Sequence, residues 1–340
     1  MKWLFMLMLT STSFVASAAQ VFNASNPATV YMVVWRGCED ACQGFKSYIE
    51  NNALPINLII RDVARDKSLL PQYINEAKQL KPDLVVTWGT TVSKGMIGTM
   101  GELGSDTKLG DIPVMFMIVA DPLGAGIISS YQASGRKTVT GIRNRISEDV
   151  QIRAIREYFP LLRMGVVYSE SELNSVLNTK KLQKLSTEMG FELIVKTYEL
   201  DDKKVPIPDQ FDRVMEEMSN AEVDVIYVGS SSYNLENRDD FTRAAVRYKL
   251  PVASAYDVMV TESDGLIAVA NKYYNVGRLA ASQANKILFE QISPGSMPIA
   301  ELSRFSMFIN MKVARNLSLY PPIQLLRFAE LINPNSHNED

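Results

Sequence analysis

From residue 29 to residue 270 the chain alternates short apolar runs, rich in β-branched and aromatic residues, with amphipathic stretches of helical length. No other feature restricts the fold as much. The apolar runs fall at 29–35, 56–61, 84–87, 113–119, 165–168, 192–198, 223–228, 251–255 and 266–270. Helical segments lie between most of them, at 43–51, 69–80, 174–189, 211–219 and 235–248. Continuous apolar strands separated by amphipathic helices mark parallel βαβ units whose sheets are covered on both faces. The pattern restarts near residue 164 after a loop-rich passage, 121–145, which predicts an α/β protein of two similar Rossmann-like lobes with parallel sheets. The 340 residues suffice for both, since a domain takes roughly 100–200.

In open parallel sheets the ligand lies beyond the carboxyl ends of the strands, and those ends can be read off the sequence. They are Trp35-Arg36-Gly37, Thr87-Trp88-Gly89-Thr90-Thr91 and Ala120-Asp121-Pro122 in the first half, and Tyr168-Ser169, Ser230-Ser231-Ser232-Tyr233-Asn234 and Tyr256-Asp257 in the second. Aromatics, hydroxyls and single charges recur at these ends, so two facing lobes would line one cleft with them. Such a lining suits a small polar or zwitterionic solute with an apolar or aromatic body. Thr90, Thr91 and Ser93 would open a helix and offer hydroxyls and backbone N–H groups to a carboxylate. Asp257 would face an ammonium, and Trp35, Trp88, Tyr168, Tyr233 and Tyr256 would enclose the apolar part. Ser, Thr and Asn also begin helices simply as N-caps, and aromatics also fill cores. The reading therefore rests on the recurrence at strand ends.

Composition removes most other functions. Thirty-eight acids against 35 bases give a net charge of −3, which disfavours a nucleic-acid partner because phosphate binding needs a basic excess. The single histidine, His337, sits in the polar tail, so Ser-His-Asp triads, Cys-His pairs and His-ligated zinc are excluded. No catalytic residues, metal or cofactor are expected. Gly135-Arg-Lys-Thr138 lacks the glycine directly before lysine that a P-loop requires. The acidic pairs Asp201-Asp202, Glu216-Glu217 and Asp239-Asp240 read as solvated faces, and Gly95, Gly98, Gly101 and Gly104 as softening a surface helix.

The N-terminus carries Lys2, a short apolar run at 3–9 and Ala16-Ser17-Ala18, the pattern of a cleavable secretory signal peptide over residues 1–18. The run is too short to span a bilayer, which takes about 20 apolar residues, and stable membrane insertion is not expected. A periplasmic location follows. Cys38 and Cys42 are the only cysteines, and an even count in an oxidising compartment favours a disulfide. On one helical turn, i and i+4 share a face and fall within the Cα separation of about 4.4–6.8 Å that a bridge needs. The alternative is two small buried thiols.

Particular strings carry a resemblance. Lys81-Pro-Asp-Leu-Val-Val-Thr-Trp-Gly-Thr-Thr91, Ile112-Pro-Val-Met-Phe-Met-Ile-Val-Ala-Asp-Pro-Leu-Gly-Ala-Gly126, Val139-Thr-Gly-Ile142 and Asn271-Lys-Tyr-Tyr-Asn-Val-Gly-Arg278 resemble motifs of the ABC-transporter substrate-binding proteins, TrpX-like group, across roughly residues 29–318. The resemblance implies a type I periplasmic binding protein architecture with the ligand cleft between lobes joined by several crossovers. It places one lobe at 24–145 plus about 272–305, the other at 146–271 plus about 306–328, and a polar tail at 329–340. It implies a receptor that delivers a small solute, such as an aromatic amino acid, to a membrane permease and its ATPase. The alternative use of the same closure is ligand sensing for a membrane kinase or cyclase. Carried over by position, ligand-facing places fall on Thr90, Thr91, Asp121, Ser169, Ser231, Asn234 and Asp257. The segment Trp35-Arg36-Gly37-Cys38 departs from the pattern, where smaller residues are usual. An arginine there would favour a bulkier or more acidic solute, since Arg binds carboxylates bidentately.

Overall fold

The structure, a computed structural model, describes residues 21–333. The expected signal peptide at 1–18 and His337 lie outside the described residues. Six strands form the first sheet: β1 (Ala28–Val34), β2 (Ile56–Asp62), β3 (Leu84–Trp88), β4 (Val114–Val119), β5 (Val139–Arg143) and, from far along the chain, Ala300–Glu301. The second sheet takes β6 (Arg163–Tyr168), β7 (Glu192–Thr197), β8 (Val225–Val228), β9 (Val252–Ser254), β10 (Ile267–Ala270) and, after β11 (the Ala300–Glu301 strand), β12 (Ser306–Asn310) and β13 (Ala329–Ile332). Their orders are β11-β5-β4-β3-β1-β2 and β13-β12-β10-β9-β8-β6-β7. All pairings are parallel except β10 with β12. β1, β3 and β4 are buried along almost their whole length, as strands covered on both faces must be.

Helices α1 (Asp40–Asn51), α2 (Leu70–Leu80) and α3 (Gly89–Ile97) follow strands of the first sheet. Helices α4 (Glu148–Tyr158), α5 (Leu173–Met189), α6 (Phe211–Asn220), α7 (Ser232–Glu236), α8 (Arg238–Arg247) and α9 (Val258–Thr261) accompany the second. Helix α10 (Tyr273–Phe289) returns to the first, its Val276, Ala280 and Ala284 sharing a core with Val30, Met32 and Phe45. The chain then re-enters the second sheet, with α11 (Met311–Leu317) and α12 (Ile323–Leu326) around β12 and β13. It therefore passes between sheets three times, near 144–147, 271–272 and 302–305. Two of these passages are tied together, because the Asn271 side-chain amide donates to the Asn144 carbonyl at 3.0 Å.

Four local expectations change. The passage 121–145 contains β5, whose Val-Thr-Gly-Ile-Arg is too short to stand out from its loops. The stretch 235–248 is two helices, because α7 ends at Asn237, from which α8 starts. Of Gly95, Gly98, Gly101 and Gly104 only Gly95 lies within α3: the helix stops at Ile97, and Gly98 ends it at φ +71°, a left-handed conformation that glycine adopts without steric cost. Residues 329–332, expected to open the polar tail, form instead the edge strand β13, paired with β12 from Met307 to Asn310.

Cys38 and Cys42 are bridged across the start of α1, with Cα atoms 5.0 Å apart. Replacing both with serine is expected to lower the unfolding free energy by about 2 kcal/mol, the chain-entropy estimate for so small a loop. Urea denaturation of the oxidised and the substituted protein measures this, and equal midpoints would contradict it.

Candidate functional site: a cleft between the two sheets

A cleft of about 1020 Å³ opens where the carboxyl ends of both sheets face each other. Trp35 and Arg36 come from the end of β1, and Trp88, Thr90 and Thr91 from the β3–α3 junction. Ile118 comes from β4, and Asn144 and Arg145 from the passage after β5. The second lobe contributes Glu172 and Asn174 after β6, Ser230, Ser232 and Tyr233 after β8, and Tyr256 after β9; Tyr273 stands at the start of α10. A loop between β7 and α6 overhangs the mouth with Lys203, Lys204, Val205 and Pro206. Seven basic side chains line the cleft against four acidic ones.

Of the residues expected to face a ligand, Trp35, Arg36, Trp88, Thr90, Thr91, Tyr233 and Tyr256 line this cleft. Seven others do not: Tyr168 packs against the second-lobe core and Ser93 is buried against the Thr87 hydroxyl, and the remaining five are held by hydrogen bonds, local in all but Asn234. Asp121 accepts from the Gly124 N–H at 2.8 Å and closes its own turn. Ser169 shares a hydrogen bond with the Ser171 hydroxyl at 2.7 Å. Ser231 caps α7 by accepting from the Asn234 N–H. Asn234 is fully buried: its side-chain oxygen accepts from the Tyr198 hydroxyl and its amide donates to the Val167 carbonyl, both at 2.7 Å. Asp257 accepts from the Val258 N–H at 3.1 Å and caps α9. Burial pushes its carboxyl above the ordinary value, and Asp40 adds to the shift.

Sequence reasoning missed the cleft floor. Asn144 and Arg145 sit in a segment read only as loop, with no periodicity to mark them. The Asn144 amide donates to the Tyr273 hydroxyl at 3.1 Å, and Arg145 donates through Nη2 to the Tyr256 hydroxyl at 3.1 Å. Glu172 was equally silent. Its carboxylate accepts from the N–H groups of Ser232 and Tyr233 at 2.7 and 2.9 Å, so it is committed to the start of α7. Desolvation raises its pKa despite those donors. Ile118 takes φ +56° beside a register shift between β4 and β5. For a β-branched residue that conformation stores about 1–3 kcal/mol of strain, a feature that clusters at ligand sites.

The walls meet at the mouth through charge. Arg36 of the first lobe donates to Glu39 at 2.7 Å and to Glu236 of the second lobe at 2.8 Å, while Arg65 reaches the same Glu236 oxygen at 3.1 Å. The Arg36 guanidinium also lies over the Trp88 ring, 5.6 Å from its centre. The Arg36 side chain is 8% exposed and Glu236 28%, so this latch is screened less than a surface pair. Its worth is nonetheless limited to about 1 kcal/mol. Glu236→Gln is expected to leave folding intact and to enlarge the ligand-free radius of gyration. Small-angle scattering tests this, and an unchanged radius would mean the two guanidinium contacts do not hold the lobes together.

Two α/β lobes with a solute-sized cleft at their strand ends define the type I periplasmic binding protein architecture. Residues 37–331 match the ABC transporter substrate binding protein family, and the chain belongs to that family. A curated relative, the tyrosine-binding protein of Clostridioides difficile strain R20291, is 23% identical over 210 residues, which are 62% of this chain and 58% of that protein. The chain thus matches less than two thirds of that relative's length. A conserved domain protein from Vibrio cholerae O1 biovar El Tor strain N16961 superposes with a TM-score of 0.75 at 20% identity, over 90% of this chain and 99% of the other. The ABC domain from Streptococcus pneumonia in complex with L-Trp gives 0.74 at 19% identity, with the same coverage. Among the described residues no helix is long and apolar enough to cross a membrane, and no group of three or more His, Cys, Asp or Glu is placed to hold a metal ion.

Proposed function

We propose that this chain is the extracytoplasmic receptor of an ABC uptake system, enclosing one small aromatic amino acid between its lobes and handing it to a membrane permease with its ATPase. The observation that carries this is the cleft itself. It draws walls from both sheets, is latched by an interlobe ion pair, and holds Trp35, Trp88, Tyr233, Tyr256 and Tyr273 around its interior. Aromatic side chains bury 150–250 Å² each and pack edge to face or offset against a ring, so such walls favour a flat apolar body. The relatives named for tyrosine and solved with L-Trp support the same class. The expected signal peptide fits work outside the cytoplasmic membrane.

A thermal-shift screen of the chain without residues 1–18 tests the proposal. L-tryptophan, L-tyrosine and L-phenylalanine should each raise the melting temperature, because a ligand at 100 times its Kd adds about 2.7 kcal/mol of stability. Sugars and nucleosides should leave it unchanged. A shift confined to those classes would overturn the aromatic amino-acid reading.

A further inference from the structure

Arg145 is 7% exposed, on the first passage between the lobes. Among the described residues no carboxylate oxygen lies within ion-pair distance of it. Its Nη2 donates to the Tyr256 hydroxyl at 3.1 Å, and its guanidinium lies over that ring at 5.3 Å. Its other donors, Nε and Nη1, are buried with no hydrogen-bond partner. The neighbouring acid, Glu148, is already engaged by the Asn178 amide at 3.0 Å and by Lys181. A buried guanidinium without a counter-charge is costly, by several kcal/mol after relaxation. Native structures seldom leave such donors without a reason.

We infer that Arg145 is the anion anchor of the cleft: one free donor of its guanidinium, together with Nη2, receives the solute's carboxylate, and the solute class is therefore a carboxylic acid whose charge is read at the crossover between lobes. This rests on the proposed solute-receptor reading and names the group that reading left open. Each edge of a guanidinium pairs Nη2 with either Nε or Nη1, so a carboxylate that takes one of the free donors together with the second hydrogen of Nη2 makes a bidentate, charge-assisted pair, the geometry at which Arg differs most from Lys. The surplus of basic over acidic side chains in the lining points the same way. So do the committed oxygens of Glu172. Placement adds a consequence. The preceding residue, Asn144, accepts from Asn271 of the second passage and donates to Tyr273 at the start of α10. An anion bound at Arg145 thus sits beside two of the passages that join the lobes.

The test pairs each acid with its amide: L-tryptophan with L-tryptophanamide and L-leucine with L-leucinamide, titrated into the parent protein and into Arg145→Met. Each acid that binds the parent should bind at least about 100-fold more tightly than its amide, within the range seen on breaking one side of a buried charge pair. Arg145→Met should lose about the same factor for the acid, while its ligand-free melting temperature is equal or higher because a buried unpaired charge has gone. An amide that binds the parent as well as its acid overturns the anchor. So does an Arg145→Met protein that melts lower yet binds the acid unchanged, since Arg145 would then serve only the fold. If the leucine pair shows carboxylate dependence and the tryptophan pair does not bind, the anchor stands and the aromatic reading fails. If no acid binds the parent, the anchor fails with it.

Discussion

Gly277→Val is expected to destabilise the protein by about 3 kcal/mol or more, at or beyond the upper end of the usual overpacking penalty. Helices α1 and α10 approach so closely that a Cβ at Gly277 would collide with the Ala41 carbonyl, and one at Gly44 would collide with the Tyr274 carbonyl. The obstacle in each case is backbone, which cannot rotate aside as a side chain can. Both helices must shift, and α1 carries Cys42 and Phe45 into the first-lobe core. Gly277→Ala is the stricter version, because alanine is about 1 kcal/mol better than glycine inside a helix and a loss must appear against that gain. Urea denaturation measures both. A loss below about 1 kcal/mol for the valine variant would mean the helices can separate without disturbing the core.

Asn234→Ala should lower folding stability by about 2–6 kcal/mol, because it strands the Tyr198 hydroxyl and the Val167 carbonyl in a buried site, each at roughly 1–3 kcal/mol. Both partners sit 2.7 Å away in the parent, and Tyr198 is itself 3% exposed. Water cannot easily replace the lost amide. At temperatures where the variant remains folded, its affinity for solute should stay close to the parent's. A variant of parental stability that has lost binding would reverse this assignment and return Asn234 to the ligand.

That residue also shows where the sequence was legible and where it was not. The two-sheet α/β layout followed from strand runs such as 29–35 and 84–87, whose continuous apolar character has one physical explanation, burial on both sheet faces. Trp35, Trp88, Thr90, Thr91 and Tyr256 were locatable because they stand directly at the ends of such strands. Asp121, Ser169, Ser231, Asn234 and Asp257 stand at strand ends too, yet short polar side chains there compete for nearby groups: in four of them a local partner won, and Asn234 is taken by Tyr198, just past β7, and Val167 of β6. Nothing in a linear sequence separates a cap from a ligand residue when both use the same chemistry. Arg145 was hidden for the opposite reason: it belongs to no periodic element, and only the meeting of β5, the first passage between lobes and Tyr256 gives its charge a place. The Gly277 packing likewise requires knowing that α10 returns to the first sheet.

Whether the cleft is an aromatic amino-acid site is decided by an isothermal titration of L-tryptophan into the ligand-free chain lacking residues 1–18. Saturable binding of one molecule per chain is expected, with a negative heat-capacity change as the ring and the aromatic walls are buried together. Absence of saturable heat with L-tryptophan, repeated with L-tyrosine, would contradict it.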